Sequence, residues 1–195
     1  AMENIVSPRA VREQAALEDV SAVMEGSPCL CTVGRFSHAK GMDRAVRIAA
    51  RLVEMGMKGL RWYLAGYGDE ASVRREIAAH GMEEHVVILG KKANPYPYMA
   101  ACGLYVQPSR YEGKAVAVRE AQILGRPVAI TRFPTASGHL EDGVDGVIVP
   151  NDEEGAAQAL FSLLHDPARL ESLAAACRAR DYGNRDEILK LEALV

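Results

Sequence analysis

The 195-residue chain lacks the marks of several large functional classes. No basic cluster dominates and the formal net charge is −3, so a nucleic-acid-binding surface gains no support. No apolar run approaches membrane-spanning length and no signal peptide is visible; the expected location is cytoplasmic. The four cysteines, Cys29, Cys31, Cys102 and Cys177, fit no zinc spacing. Cys29 and Cys31 alternate within an apolar run and read as buried, reduced residues on one face of a strand. The histidines are scattered without ligand-spaced pairs, so no metal site is expected. Repeats and low-complexity stretches are also absent.

What remains is ordinary globular material, 49% hydrophobic and 25% charged, of a length that suits one domain. Short apolar runs predict strands at 29–33, 60–65, 86–89, 104–107, 127–130 and 146–149. Helical patterns fall between them, at 42–54, 69–80, 115–124, 152–165 and 167–180, with a last one at 184–195. Shorter helical pieces are expected at 94–102 and 135–140, and a weakly apolar one within 11–24. Gly56 suits a helix C-terminus and Asp69 an N-cap. Strands apolar on both faces, alternating with helices, predict a doubly wound, Rossmann-like α/β domain. Its three layers would enclose a parallel sheet of about six strands.

Ligands of such sheets bind outside the carboxyl ends of the strands. The segments expected there are Gly34-Arg35, Gly66-Tyr67-Gly68, Gly90-Lys91-Lys92, 109–114 and 131–137. Each glycine could serve only a tight turn, but several on one rim favour a site. Arg35 and Lys40 on one short loop could balance a diphosphate, or form a solvated basic loop. Glu112 and Glu120 bracket the start of the helix expected near Lys114. A carboxylate can hold a vicinal diol, and a helix N-terminus attracts phosphate. Taken alone, Glu112 could merely favour the helix dipole and Glu120 could be a surface acid. A two-carboxylate hydrolase is a further option without a supporting cleft. Gly66-x-Gly68 lacks the third glycine of a dinucleotide fingerprint and argues poorly for NAD.

Several motifs occur in order: Val33-Gly34-Arg35 through Lys40-Gly41, Leu64-Ala65-Gly66-Tyr67-Gly68, Val106-Gln107-Pro108-Ser109-Arg110-Tyr111-Glu112-Gly113, Arg119-Glu120-Ala121, Gly125-Arg126-Pro127-Val128, and Asp142-Gly143-Val144-Asp145-Gly146-Val147-Ile148-Val149-Pro150. Together they resemble the C-terminal half of GT-B-fold, retaining glycosyltransferases of group 1 (GT4), over residues 28–195. The resemblance implies a nucleotide-sugar (donor) domain. Arg35 and Lys40 would then hold the diphosphate, with Gly34 and Gly66 on the same rim. Glu112 would contact the donor sugar, and the amides of Gly113, Lys114, Ala115 and Val116 the sugar and phosphate. Glu120 would bind the ribose, and Lys91 and Lys92 would lie beside the base. Such enzymes need no metal because cations and a helix dipole replace it, which fits the lack of an Asp-x-Asp motif in the rim loops. Lys114 and Arg119 depart from the family pattern, which prefers apolar residues there.

The resemblance also implies an N-terminal acceptor domain, and the residues ahead of the first expected strand are too few to form one. Residues 1–27 read as a linker, with Ala1-Met2 foreign to it, and the chain as one half of a longer enzyme or a stand-alone module. One half alone is expected to bind donor weakly, not to turn over, and to self-associate through exposed interface. Membrane contact is expected only through the missing domain, and the acceptor would be a glycan or a lipid-linked one. A non-catalytic nucleotide-sugar sensor and a nucleotide-sugar epimerase remain as alternatives.

Overall fold

The computed structural model describes residues 7–183. The helix expected at 184–195 and the first residues of the chain lie outside them. Within this span the chain alternates strand and helix. In order they are α1 (Pro8–Ala15), β1 (Cys29–Val33), α2 (Met42–Glu54), β2 (Arg61–Ala65), α3 (Glu70–Ala79), β3 (Val86–Gly90), α4 (Tyr96–Ala101) and β4 (Leu104–Gln107). There follow α5 (Val116–Ile123), β5 (Val128–Thr131), β6 (Val147–Val149), α6 (Glu153–Leu164) and α7 (Pro167–Ala179). All six strands are parallel, in the order β3-β2-β1-β4-β5-β6.

Alternation along the strands divides the core in two. Leu30, Trp62, Leu64, Leu104 and Val106 face one layer, where they meet Ala45, Ile48, Ala49 and Leu52 of α2 and Leu160 of α6. Cys29, Cys31, Tyr63, Tyr105 and Ile130 face the other, against Met99 of α4 and Val118 and Ala121 of α5. Both sheet faces are thus covered, which explains why the strands read as continuous apolar runs. All four cysteines are free and buried.

The 11–24 segment corrects the sequence expectation. Its helix starts earlier and ends earlier, as α1, where Ser7 Oγ accepts from Ala10 N at 3.3 Å and Pro8 occupies the first turn. Beyond Ala15 the Asp19 carboxylate accepts from Ser21 N at 2.9 Å. This local turn competes with helical bonding. Leu17 is left exposed, while Val20 and Met24 join the core. The helix expected at 135–140 is only a 3-10 turn, Ala136–Gly138.

Two glycines let the rim loops close on each other. A Cβ on Gly41 (φ +67°) would lie 2.1 Å from the Pro108 carbonyl oxygen, and one on Gly66 (φ +155°) 1.8 Å from that of Gly34. The β1 loop is thereby pressed against the loops after both β4 and β2.

Asp145 anchors the far end. It is 1% exposed. Its carboxylate accepts from Glu141 N at 2.7 Å, Arg180 Nη1 at 2.6 Å and Tyr182 OH at 2.9 Å. The segment after α7 is tied in this way to the turn before β6.

Candidate functional site

The chain order reverses between β1 and β4, the neighbouring strands from which the sheet grows in both directions. A cavity of about 570 Å³ opens there. Gly34, Arg35 and Lys40 line it from the β1 loop, Gly66 and Tyr67 from the β2 loop, and Lys91 and Lys92 from the β3 loop. Lys114, Val116 and Glu120 complete it at the start of α5. Five cations therefore face one carboxylate. No side chain caps α5, so its first amides and its dipole add to the positive end of the cavity.

Three residues expected at the site do not line this cavity: Glu112, Gly113 and Ala115. Gly113 is exposed and Ala115 buried. The Glu112 side chain is 3% exposed. Lys40 Nζ donates to both its oxygens, at 2.7 and 2.6 Å. Ser109 Oγ donates to it at 2.6 Å and Gln107 Nε2 at 3.1 Å. Gln107 Nε2 also donates to Ser109 Oγ at 2.9 Å, and Tyr105 OH donates to Gln107 Oε1 at 2.7 Å. A hydrogen-bonded chain thus runs from inside β4 to the carboxylate. Because Lys40 and Glu112 are paired with each other, a ligand that uses either must compete with that ion pair.

Glu120 is oriented differently. Tyr96 OH, from α4, donates to its Oε1 at 2.8 Å. Burial pushes the Glu120 carboxyl above the ordinary glutamate value, and the bond from Tyr96 opposes the shift. Burial, then Glu120 itself, push the Tyr96 phenol up to about 12. Tyr67 stands between two cations, with Arg35 Cζ 5.7 Å and Lys91 Nζ 5.4 Å from its ring centre. The ring is exposed and offers a flat apolar surface inside a cationic cavity.

Tyr67 lies in a rim segment expected from the sequence, although its ring had no role there, and no sequence pattern pointed to Tyr96. Tyr96 lies far from Glu120 in sequence and no spacing joins them. For Gln107 and Ser109 a signal existed, a glutamine closing an otherwise apolar strand next to a serine. Among the described residues no group of histidine, cysteine, aspartate or glutamate side chains could hold a metal ion. None of their helices is long and apolar enough to cross a membrane.

A larger concavity, about 820 Å³, lies on the same rim beyond the 109–112 loop, around Arg44, Arg110 and Arg132. The smaller cavity is the better nucleotide candidate. It combines the switch point, the α5 N-terminus and a carboxylate able to hold hydroxyls.

Comparison with known proteins bears on the family and the fold. Residues 27–166 match the family model described as glycosyl transferases group 1. An alpha-D-kanosaminyltransferase of Streptomyces kanamyceticus is 30% identical over 84% of this chain and 42% of its own length. The lipopolysaccharide core biosynthesis glycosyltransferase LpsE of Rhizobium meliloti is 28% identical over 72% of this chain and 40% of its own. The chain therefore spans about two fifths of these relatives. Among solved structures, Anabaena HepE in complex with UDP superposes with a TM-score of 0.82 at 18% identity, over 99% of this chain and 56% of HepE. S. aureus TarM, in a complex that includes UDP, superposes with a TM-score of 0.82 at 18% identity, over 100% of this chain and 38% of TarM. At such identities the superpositions speak for the fold, the Rossmann-like α/β half of a GT-B architecture.

Proposed function

Because the chain belongs to the group 1 glycosyltransferases, we propose that it is the donor-binding half of a retaining enzyme that moves a sugar from a nucleoside diphosphate to an acceptor. The observation that carries this is the cavity at the β1/β4 switch point, where Arg35, Lys40 and Lys114 share one space with the Glu120 carboxylate. Glu120 takes the ribose hydroxyls. Arg35, Lys40 and the first amides of α5 take the diphosphate. Tyr67, Lys91 and Lys92 flank the base. Glu112 meets the sugar once Lys40 turns to phosphate.

In the transfer, the bond between the anomeric carbon and the β-phosphate oxygen breaks. Negative charge grows on the departing diphosphate. Arg35, Lys40 and the α5 dipole are aimed where that charge develops, which is electrostatic stabilisation of the transition state. Cationic side chains take the place of a metal in this proposal, and a second domain supplies the acceptor side.

UDP is the first probe, since HepE and TarM were both solved with it. Calorimetric titration of the chain with UDP, GDP and ADP is expected to show binding of at least one of them. Silence from all three at millimolar concentration would sink the proposal. Arg35→Ala should weaken UDP about ten-fold, the loss of one charge-assisted contact, while sparing uridine. Glu120→Ala should weaken both.

The Glu120 environment sets a pH dependence. Its folded carboxyl titrates above 4.5 because burial disfavours the charge. The carboxylate accepts from ribose hydroxyls more strongly than the protonated acid, which spends one oxygen as a donor. Uridine affinity should therefore be constant at high pH and fall as pH drops through the raised value. Glu120→Gln should flatten the profile. Uridine avoids the titration of phosphate itself, and NMR titration across pH checks the result. An unchanged profile in Glu120→Gln would remove Glu120 from the ribose site.

A further inference from the structure

The larger rim concavity, about 820 Å³, carries its own chemistry. Its walls come from the loops after β4, β5 and β6 and from the first turn of α2. Three arginines line it, Arg44, Arg110 and Arg132. Arg110 is spent, because its two terminal nitrogens donate to Asp43 at 2.8 and 2.7 Å. The nearby carboxylates are also engaged. Asp43 and Glu153 both bind Arg47, and Asp152 caps α6 through Gly155 N. Arg44 is different. It is 3% exposed, yet its hydrogen bonds go to neutral oxygens: the Ser109 carbonyl, the Asn151 side chain and the Asn151 carbonyl. Burial, and then the charge of Arg110, hold its guanidinium below the usual value despite Glu153 and Asp43. Arg132 lines the mouth, exposed, with no side-chain ion pair among the described residues. A buried cation without a paired counter-ion is costly, and an anion entering the cavity would relieve that cost.

One wall is aromatic. Tyr111 is 62% exposed and lines the same space. An exposed ring beside under-compensated arginines suits the apolar face of a pyranose carrying a negative group. The cavity is also next to the reacting end of the smaller one. The 109–112 loop separates them, and Thr135 Oγ1 donates to the Glu112 carbonyl at 2.7 Å from the β5 side.

We propose that this concavity is a second binding site, for an anionic sugar, with Arg44 and Arg132 holding its phosphate or carboxylate and Tyr111 its ring. Its position beside Glu112 makes it this domain's share in holding an acidic acceptor, whose remaining contacts come from the second domain. That role rests on the donor reading above; the binding itself does not.

NMR titration of the 15N-labelled chain tests it with four probes: glucose 6-phosphate, glucuronate, inorganic phosphate and glucose. Glucose 6-phosphate, glucuronate or both should shift the amides of Phe133, Ala136 and Asn151 saturably. Glucose should bind about ten-fold more weakly or not at all, for want of a charge-assisted contact. Arg132→Gln and Tyr111→Ala change exposed side chains, so the fold survives. Each should weaken the charged sugar about ten-fold, whereas Tyr111→Ala should leave inorganic phosphate unchanged. The shifts should persist when the smaller cavity is filled with UDP. Four results would overturn the site. These are shifts confined to Gly34, Lys40 and Glu120, indifference to both substitutions, equal binding of glucose, and no shift with either charged sugar. Failure of UDP to bind, with the acidic sugar still bound, would remove the donor reading and the acceptor role but keep the site.

Discussion

Asp145→Ala should cost the domain about 3 kcal/mol, the scale for breaking a buried, hydrogen-bonded charge cluster. Its carboxylate is 2% exposed and receives three donors. Removing it strands Tyr182 OH and Glu141 N, while Arg180 can turn to water because it is 44% exposed. The unfavourable part is therefore the two donors left without a partner, and less the lost ion pair. For a chain of this length the change corresponds to a melting point lower by roughly 6–12 °C. Arg180→Ala should cost clearly less, and Asp145→Asn should fall between, since an amide oxygen can still accept from Glu141 N. Urea melts of the three variants check the order. A loss below about 1 kcal/mol for Asp145→Ala would mean that water replaces the carboxylate at little cost.

Lys40→Met should destabilise by about 2 kcal/mol, below the usual figure for a broken buried pair. Lys40 is 29% exposed, so solvent already screens part of the attraction. Ser109 and Gln107 also remain as donors to Glu112. What the substitution leaves is a carboxylate at 3% exposure without its counter-ion. The double variant Lys40→Met/Glu112→Gln should regain most of the loss, because no uncompensated charge is then buried. A four-variant cycle by urea denaturation should give a coupling of at least about 1.5 kcal/mol. Strict additivity would dismiss the pair as an energetic unit. Ligand binding adds an independent check. If Glu112 holds Lys40 away from the diphosphate, Glu112→Gln should raise UDP affinity, and Lys40→Met should lower it. A fall in UDP affinity for Glu112→Gln would contradict that competition.

Most elements were legible in advance for local reasons. The strand at 29–33 and the helix at 42–54 match β1 and α2 residue for residue. Cys29-Leu30-Cys31-Thr32-Val33 is a short apolar run bounded by glycine and proline. The 42–54 helix carries its apolar residues on one face and ends before Gly56. The 11–24 segment failed because Asp19 bonds to its own neighbour's backbone, a contest that apolar spacing does not register.

The site divides in the same manner. Sequence alone determined the parallel doubly wound sheet and its rim. Apolar periodicity and turn residues act over a few positions, and the rule that ligands bind at strand carboxyl ends supplies the rest. It brought Arg35, Lys40, Lys91, Lys92, Lys114 and Glu120 into consideration on the strength of rim position and the family resemblance. Only the tertiary structure decided how these groups are spent. It paired Lys40 with Glu112, set Tyr96 on Glu120 and placed Tyr67 between Arg35 and Lys91. It also left Arg44 buried beside neutral oxygens. These contacts join residues far apart in the chain, and the strand order that brings them together is a property of the closed sheet. Hydrogen bonds and ion pairs depend on distance to a few tenths of an ångström, a precision that no spacing along the chain encodes.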